Sequence, residues 1–201
     1  MSKLDFLIPP GILSLIDEDK LELAISLSAT SARGVWPRAR IWLDDVIIGN
    51  QQINKHATIN YKLPKKLKDT VILKIEYLDK TSDHTVVDES GQIIENQSLN
   101  IDSLFINNVD VVKTQIIYKL GVYTRILSES TLQYFRDHGI DYGPSHSLTM
   151  TENGSWDINL TFPVTKQIIE LTAIRKKHEL WLDDDILSEI NDTINQIRNA
   201  Q

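Results

Sequence analysis

The chain predicts a mainly β fold, an antiparallel jelly-roll-like β-sandwich with a C-terminal helical appendage. Three observations point there. Apolar residues alternate with polar ones in short runs, as strands with one wetter face require. Turn residues (Gly, Pro, Asn, Asp) separate those runs at intervals of roughly 8–12 residues, the spacing of sandwich strands. From Pro163 the apolar period changes to that of a helix. No crossover helix stands between the strand runs before Gly121, so parallel βαβ pairing is excluded there.

The expected organisation is an N-terminal arm over residues 1–19, a sandwich over 20–162 and a helical segment over 163–201. Pro9-Pro10-Gly11 keeps the arm extended, and its apolar residues, Phe6 and Leu7 among them, need a surface to dock on. Leu21, Leu23, Ile25, Leu27 and Ala29 alternate with Glu22, Ala24, Ser26 and Ser28, a strand buried on its odd-numbered face. Val35 to Leu43 is the next strand, with Trp36-Pro37 marking a bulge or an edge. Ala39, Ile41 and Leu43 share one of its faces; Arg38, Arg40 and Trp42 share the other. Asp44-Asp45 turns into Val46-Ile47-Ile48, closed by Gly49-Asn50. Ile53, Ile59, Tyr61 and Leu63 suggest a further strand before a lysine-rich loop.

The stretch from Thr70 to Val112 is the centre of the pattern. Val71, Leu73, Ile75 and Tyr77 alternate, an acidic connection follows, and Ser90-Gly91 marks its turn. Leu99, Ile101 and Ile106 carry the alternation on to Asn107-Asn108, a tight hairpin. Gln115 to Leu120 is expected as a strand ending at Gly121, with 122–150 irregular around a short helix from Ser130 to His138. Asn153-Gly154 is the strongest hairpin signal, joining Leu148-Thr149-Met150 to a strand with Trp156, Ile158, Leu160 and Phe162. Trp156 is expected to pin that hairpin. Asp183, Asp184 and Asp185 cap a last helix whose Leu187, Ile190, Ile194 and Ile197 form an apolar seam for a core or a symmetry mate.

Composition narrows the function classes. With 41% hydrophobic residues in 201, the chain can build a real core. Its net charge of −7 excludes a whole-chain nucleic-acid footprint. Two basic clusters, Lys62, Lys65, Lys66, Lys68 and Arg175, Lys176, Lys177, read as solvated surface. The absence of cysteine excludes thiol catalysis, disulfides and Cys-ligated zinc. No run has the length of a membrane span, and Pro9-Pro10 interrupts what a signal peptide would need. The expected setting is a host cytoplasm or a virion.

Two sets of residues carry candidate chemistry. Asp79, Asp83, Asp88 and Glu89 could supply hard oxygens to calcium, although their spacing is not that of an EF-hand and Asp and Ser are also ordinary turn residues. Trp36 and Trp42, with Arg38 and Arg40, could form an aromatic, basic platform for a sugar or a protein, against the plainer reading of packing. His138 and His146 flank a loop with Asp137, Asp141, Tyr142 and Ser145, but Gly-x-Ser-x-Gly is absent and no nucleotide-binding glycine loop occurs. No catalytic residues are assigned.

The pattern Tyr77-Leu78-Asp79-Lys80-Thr81, with Thr85 to Ile94, resembles small β-sandwich modules of tailed-bacteriophage virion proteins. Those modules are similar in turn to calcium-dependent carbohydrate-binding modules. Asn153-Gly154-Ser155-Trp156 and Phe162-Pro163-Val164 add to a likeness that covers about residues 20–165. The resemblance implies a non-catalytic structural protein, a homo-oligomer or a partner of other virion proteins. Phe6, Leu7, Leu187, Ile190, Ile194 and Ile197 are its expected interface. The alternative is a carbohydrate-binding module with a glycan partner and a calcium site.

Overall fold

The computed structural model describes residues 21–63, 69–165, 167–169 and 171. Ten of its twelve strands form two antiparallel sheets. The first orders β11 (Thr149–Met150), β8 (Ser98–Ile106), β1 (Leu21–Thr30) and β4 (His56–Leu63), with β9 (Val109–Asp110) paired to β8. The second orders β10 (Gly121–Arg125), β12 (Gly154–Thr161), β5 (Thr70–Leu78), β2 (Arg38–Leu43) and β3 (Val46–Gln52). Apart from the β2–β3 and β8–β9 hairpins, the chain changes sheets from one of these strands to the next, and all pairing is antiparallel. The mainly β, sandwich-like class is therefore as the alternation predicts.

The alternation also sets which faces meet. Leu21, Leu23, Ile25 and Leu27 of β1 turn inward, as do Val71, Leu73, Ile75 and Tyr77 of β5 and Trp156, Ile158 and Leu160 of β12. They share one core with Ala39, Ile41 and Leu43 of β2 and with Leu99, Ile101 and Leu104 of β8. Fully burying a side chain of this size contributes on the order of 2 kcal/mol. Residues 164–165, 167–169 and 171 are helical, and Val164 and Ile168 belong to the same core, so the start of the C-terminal segment packs on its own sandwich.

Three elements depart from expectation. Gln115 to Leu120 is not a strand. Asp110 accepts from the backbone N–H groups of Val112 and Lys113, which folds the chain into turns, and Ile117–Leu120 forms a short helix, α1, with Ile116 and Ile117 buried. The strand instead starts at Gly121, which reads as a terminator in sequence but is a point of close approach. A Cβ there would lie 2.8 Å from Cη2 of Trp156 and closer still to Cζ2 and Cε2.

Asn153-Gly154 does not close a hairpin either, because β11 pairs with β8 in one sheet while β12 pairs with β5 and β10 in the other. Asn153 instead bridges strands through its side chain, accepting from the Lys80 N–H at 2.9 Å and donating to the Lys80 carbonyl at 2.7 Å. Gly154 packs too closely on the Thr124 carbonyl to tolerate a Cβ. Trp156 accordingly pins the core, fully buried, and not a hairpin.

The Asn107-Asn108 turn is as expected. Both residues have positive φ (47° and 66°), the signature of a type I′ hairpin. The expected helix is also present as α2 (Glu129–Asp137), capped by the Ser128 hydroxyl, which accepts from the Thr131 N–H.

Candidate functional site

The acidic connection folds as a hairpin of its own. After a 3₁₀ turn over Ser82–His84, β6 (Thr85–Val87) pairs with β7 (Ile93–Asn96) outside both main sheets. The Asp88 carboxylate accepts from the Ser90 hydroxyl at 2.6 Å, the Ser90 N–H at 2.8 Å and the Gln92 N–H at 2.9 Å, so it builds the turn. Those bonds, the Ser90 hydroxyl foremost, hold the exposed carboxyl below the usual carboxylate range. The structure does not bring Asp79, Asp83, Asp88 and Glu89 together as a ligand set: among the described residues no three His, Cys, Asp or Glu side chains group where a metal ion could be held.

Where the hairpin meets the sandwich, a cation is buried. The Lys80 side chain is 4% exposed, and its ammonium donates to Asn96 Oδ1 at 2.8 Å and to the Thr151 carbonyl, with the Glu152 carboxylate 3.5 Å away. Burial lowers its pKa while Glu152 works against that shift. Beside it, Tyr77 donates to Gln97 and Tyr123 to the Glu152 carbonyl. Burial raises both phenols, Tyr123 to about 12 and Tyr77 beyond that. The network ties β5, β7 and the segment between β11 and β12 to one another.

The aromatic candidates divide in the same way. On the outer face of the second sheet, the Trp42 indole donates to Glu76 Oε2 at 2.6 Å. The Arg40 guanidinium lies 3.7 Å from the same carboxylate and 5.7 Å from the Trp42 ring centroid. Arg38 donates sideways to Asn50 at 2.9 Å. Trp36 precedes the strand, and its carbonyl accepts from the Gln52 side-chain amide at 3.1 Å. Trp42, Arg40 and Glu76 thus engage one another on this face, while Arg40 Nε and Asp157 Oδ1 are buried there without a hydrogen-bond partner.

In the 137–146 loop the two histidines and Asp141 bond locally, whereas the buried Ser145 hydroxyl has no hydrogen-bond partner. His138 Nδ1 is 2.8 Å from the Tyr134 carbonyl, His146 Nδ1 is 2.7 Å from the Gly121 carbonyl, and Asp141 accepts from the Gly143 N–H. Phe6, Leu7, Leu187, Ile190, Ile194 and Ile197 lie outside the described residues.

A different surface is open. On the outer face of the first sheet, Glu22, Ala24, Asn60, Lys62, Phe105 and Asn108 line a groove of about 200 Å³. Strand register assembles it: Ala24 of β1 stands between Asn60 of β4 and Phe105 of β8, and Glu22 pairs with Lys62. The Lys62 ammonium and the Glu22 carboxylate are 2.9 Å apart and neutralise each other. Phe105 is 38% exposed, an apolar ring left at the surface. The Asn60 and Asn108 amides have no protein partner among the described residues, whereas the neighbouring Asn107 is held by Glu22 N–H and Thr165. In the alternation Phe105 falls out of phase with its inward neighbours Leu104 and Ile106, the one sequence signal for this groove.

No family model matches the chain, and no curated protein matches it. Among solved structures, vCBM60 in complex with galactobiose is similar, at 10% identity and a TM-score of 0.39, over 70% of this chain and 98% of the other. A selenomethionine form of vCBM60, described in connection with calcium-dependent carbohydrate-binding modules related by circular permutation, gives 9% identity and a TM-score of 0.42. That likeness covers 71% of this chain and 91% of the other.

Proposed function

We propose that the domain is a non-catalytic carbohydrate-binding module whose site is the groove beside Phe105. One observation carries this reading. Two open side-chain amides, Asn60 and Asn108, line the same groove as an exposed aromatic ring, with its charges internally paired. A sugar ring needs these features together: a flat apolar surface for its C–H face and a few fixed donors and acceptors for its hydroxyls. Mutual neutralisation of Lys62 and Glu22 favours a neutral sugar over an acidic one. The reading requires no metal.

A glycan array followed by calorimetry with the winning sugar tests it, with galactobiose included as a probe. Phe105→Ala and Asn60→Ala should each weaken binding about tenfold or more, while Trp42→Ala on the opposite sheet should not. Chelator should leave the signal unchanged. Loss with chelator would refute the metal-free reading of the groove. Loss in Trp42→Ala would move the site to the Arg40 face, and a silent array would refute the sugar reading.

A second reading, a structural component of an assembly such as a phage particle, is favoured by Val87, Ile93 and Ile94. These hairpin residues are 53–62% exposed, and a bare two-stranded hairpin is a weak element until something covers it. Light-scattering mass across concentrations, with Ile93→Ser/Ile94→Ser as comparator, tests this. An invariant monomer mass would count against self-assembly.

A further inference from the structure

By strand register the groove adjoins a row of short outward side chains along β1, which makes a shallow trough. Along β1, the outward side chains after Glu22 are Ala24, Ser26 and Ser28, all small and all half-buried. Asn60, Phe105 and Lys62 flank this row with longer side chains, while in its middle the Ser26 hydroxyl lies 3.4 Å from that of Thr58. Ala24 lies between Asn60 and Phe105, and Ser26 lies between Thr58 and Ser103. Ser28 has His56 on one side, and a β-bulge between Ser26 and Leu27 shifts β8 so that Asp102 reaches its other side. There Asp102 accepts from the Ser28 hydroxyl at 2.7 Å and sits 3.5 Å from His56 Nδ1.

From Glu22 to Ser28 the floor extends six residues, about 20 Å along a strand. Its lining is mostly polar, hydroxyls and amides together with Glu22, Lys62, His56 and Asp102, and Phe105 is its one large exposed apolar side chain. A docking protein would call for the opposite, an apolar, aromatic-rich centre with charge at the rim. The Lys62 ammonium stands beside the Glu22 carboxylate, and the Asp102 carboxylate is engaged by the Ser28 hydroxyl with His56 Nδ1 3.5 Å away.

We infer that this trough binds an extended neutral oligosaccharide running along β1, several sugar units long, with the Phe105 groove as its first subsite. The inference rests on the carbohydrate reading of that groove and specifies the class of glycan. Chain length, not sugar identity alone, then sets affinity, because each further unit adds hydroxyl contacts to Ser26, Thr58, Ser103 and the His56–Asp102 pair.

The test is calorimetry on the full chain with galacto-, xylo- and cello-oligosaccharides of two to six units. Affinity is expected to rise about tenfold from two units to the longest member of the bound series. Ser26→Trp, a surface substitution that strands tolerate, fills the floor midway, and should bring the long-to-short affinity ratio close to one. Circular dichroism and a thermal melt confirm that the variant is folded; should it not be, Ser28→Tyr at the far row serves the same purpose. Affinity that is flat with length while the disaccharide still binds would overturn the trough and leave the groove standing. A length gain that survives a folded blocking variant would also overturn it. Absence of binding at every length would overturn both.

Discussion

Gly121→Ala tests whether the core is organised around the contact between β10 and Trp156. The added Cβ would sit 2.8 Å from Cη2 of a fully buried indole and nearer to two more of its atoms. Neither side can give easily. Gly121 is held in register opposite Ile158, and Trp156 is packed between Tyr123 and Ile75 on the neighbouring strands. Overpacking of this kind costs about 1–3 kcal/mol. Pushing a tryptophan partly out of its site adds a fraction of the roughly 3–5 kcal/mol that its complete loss would cost. We expect about 3 kcal/mol in urea unfolding, and for a chain of this length a Tm lower by roughly 6–12 °C. Gly34→Ala is the control: its φ of +75° makes a side chain strained, but nothing lies within 4 Å, so only about 1 kcal/mol should be lost. Adding Trp156→Phe, which shortens the ring, should recover part of the Gly121→Ala loss as a favourable coupling of about 1 kcal/mol. If Gly121→Ala costs no more than Gly34→Ala, the close approach is not what positions β10.

Lys80→Met removes a buried ammonium, takes the lysine donor from the Thr151 carbonyl and leaves Asn96 Oδ1 with the Thr85 hydroxyl alone; a loss of about 3 kcal/mol is expected. Amide exchange should quicken across 85–96 first, and unchanged protection there would show that the lysine does not anchor the hairpin. Alkaline pH gives a third check. The folded pKa values of Tyr77 and Tyr123 lie above the ordinary phenol value of 10.0, so the stability they lend is complete below pH 10 and is lost as pH rises, through about 12 for Tyr123. Lys80 has the opposite sign: its folded pKa is lowered below 10.5, so its contribution grows as pH approaches that value. Melting temperature should therefore fall above pH 10, and less steeply in Tyr123→Phe. Asp88→Ala should loosen the β6–β7 turn in exchange measurements without shifting the global melt, because the carboxylate is solvent-exposed and its bonds are all local.

How much of this was legible in the sequence depends on the range of the forces involved. Burial along β1, β2 and β5 follows from period-2 alternation, since each inward position is decided by its immediate neighbours. Asn107-Asn108 was readable because a type I′ turn needs only two residues with positive φ. Asn153-Gly154 carries the same local signal and misleads, because the interaction that places it is a side-chain bridge to Lys80, 73 residues away. Gly121 misleads for a similar reason: what demands a missing Cβ is a ring on another strand. The candidate site follows this rule as well. Trp42, Arg40 and the acidic hairpin are conspicuous in sequence, whereas Asn60, Ala24 and Phe105 look ordinary until register sets them side by side.

The two outer faces of the sandwich show why conspicuous residues and an open site need not coincide. Tryptophan, arginine and glutamate have the reach and bonding capacity to find one another across neighbouring strands, and Trp42, Arg40 and Glu76 do so. A face that satisfies itself in this way stabilises its sheet but offers few free donors or acceptors to a ligand. On the first sheet, alanine and serine along the central strand are too short to cross-link its flanks fully. Asn60 and Asn108 keep open amides there, and Phe105 keeps an uncovered ring. Binding a polar ligand costs least where polar groups are already fixed by backbone register and need not abandon a protein partner first. That criterion is why the proposed recognition face is the first sheet, and replacing its short central residues with longer ones should close it while leaving the fold intact.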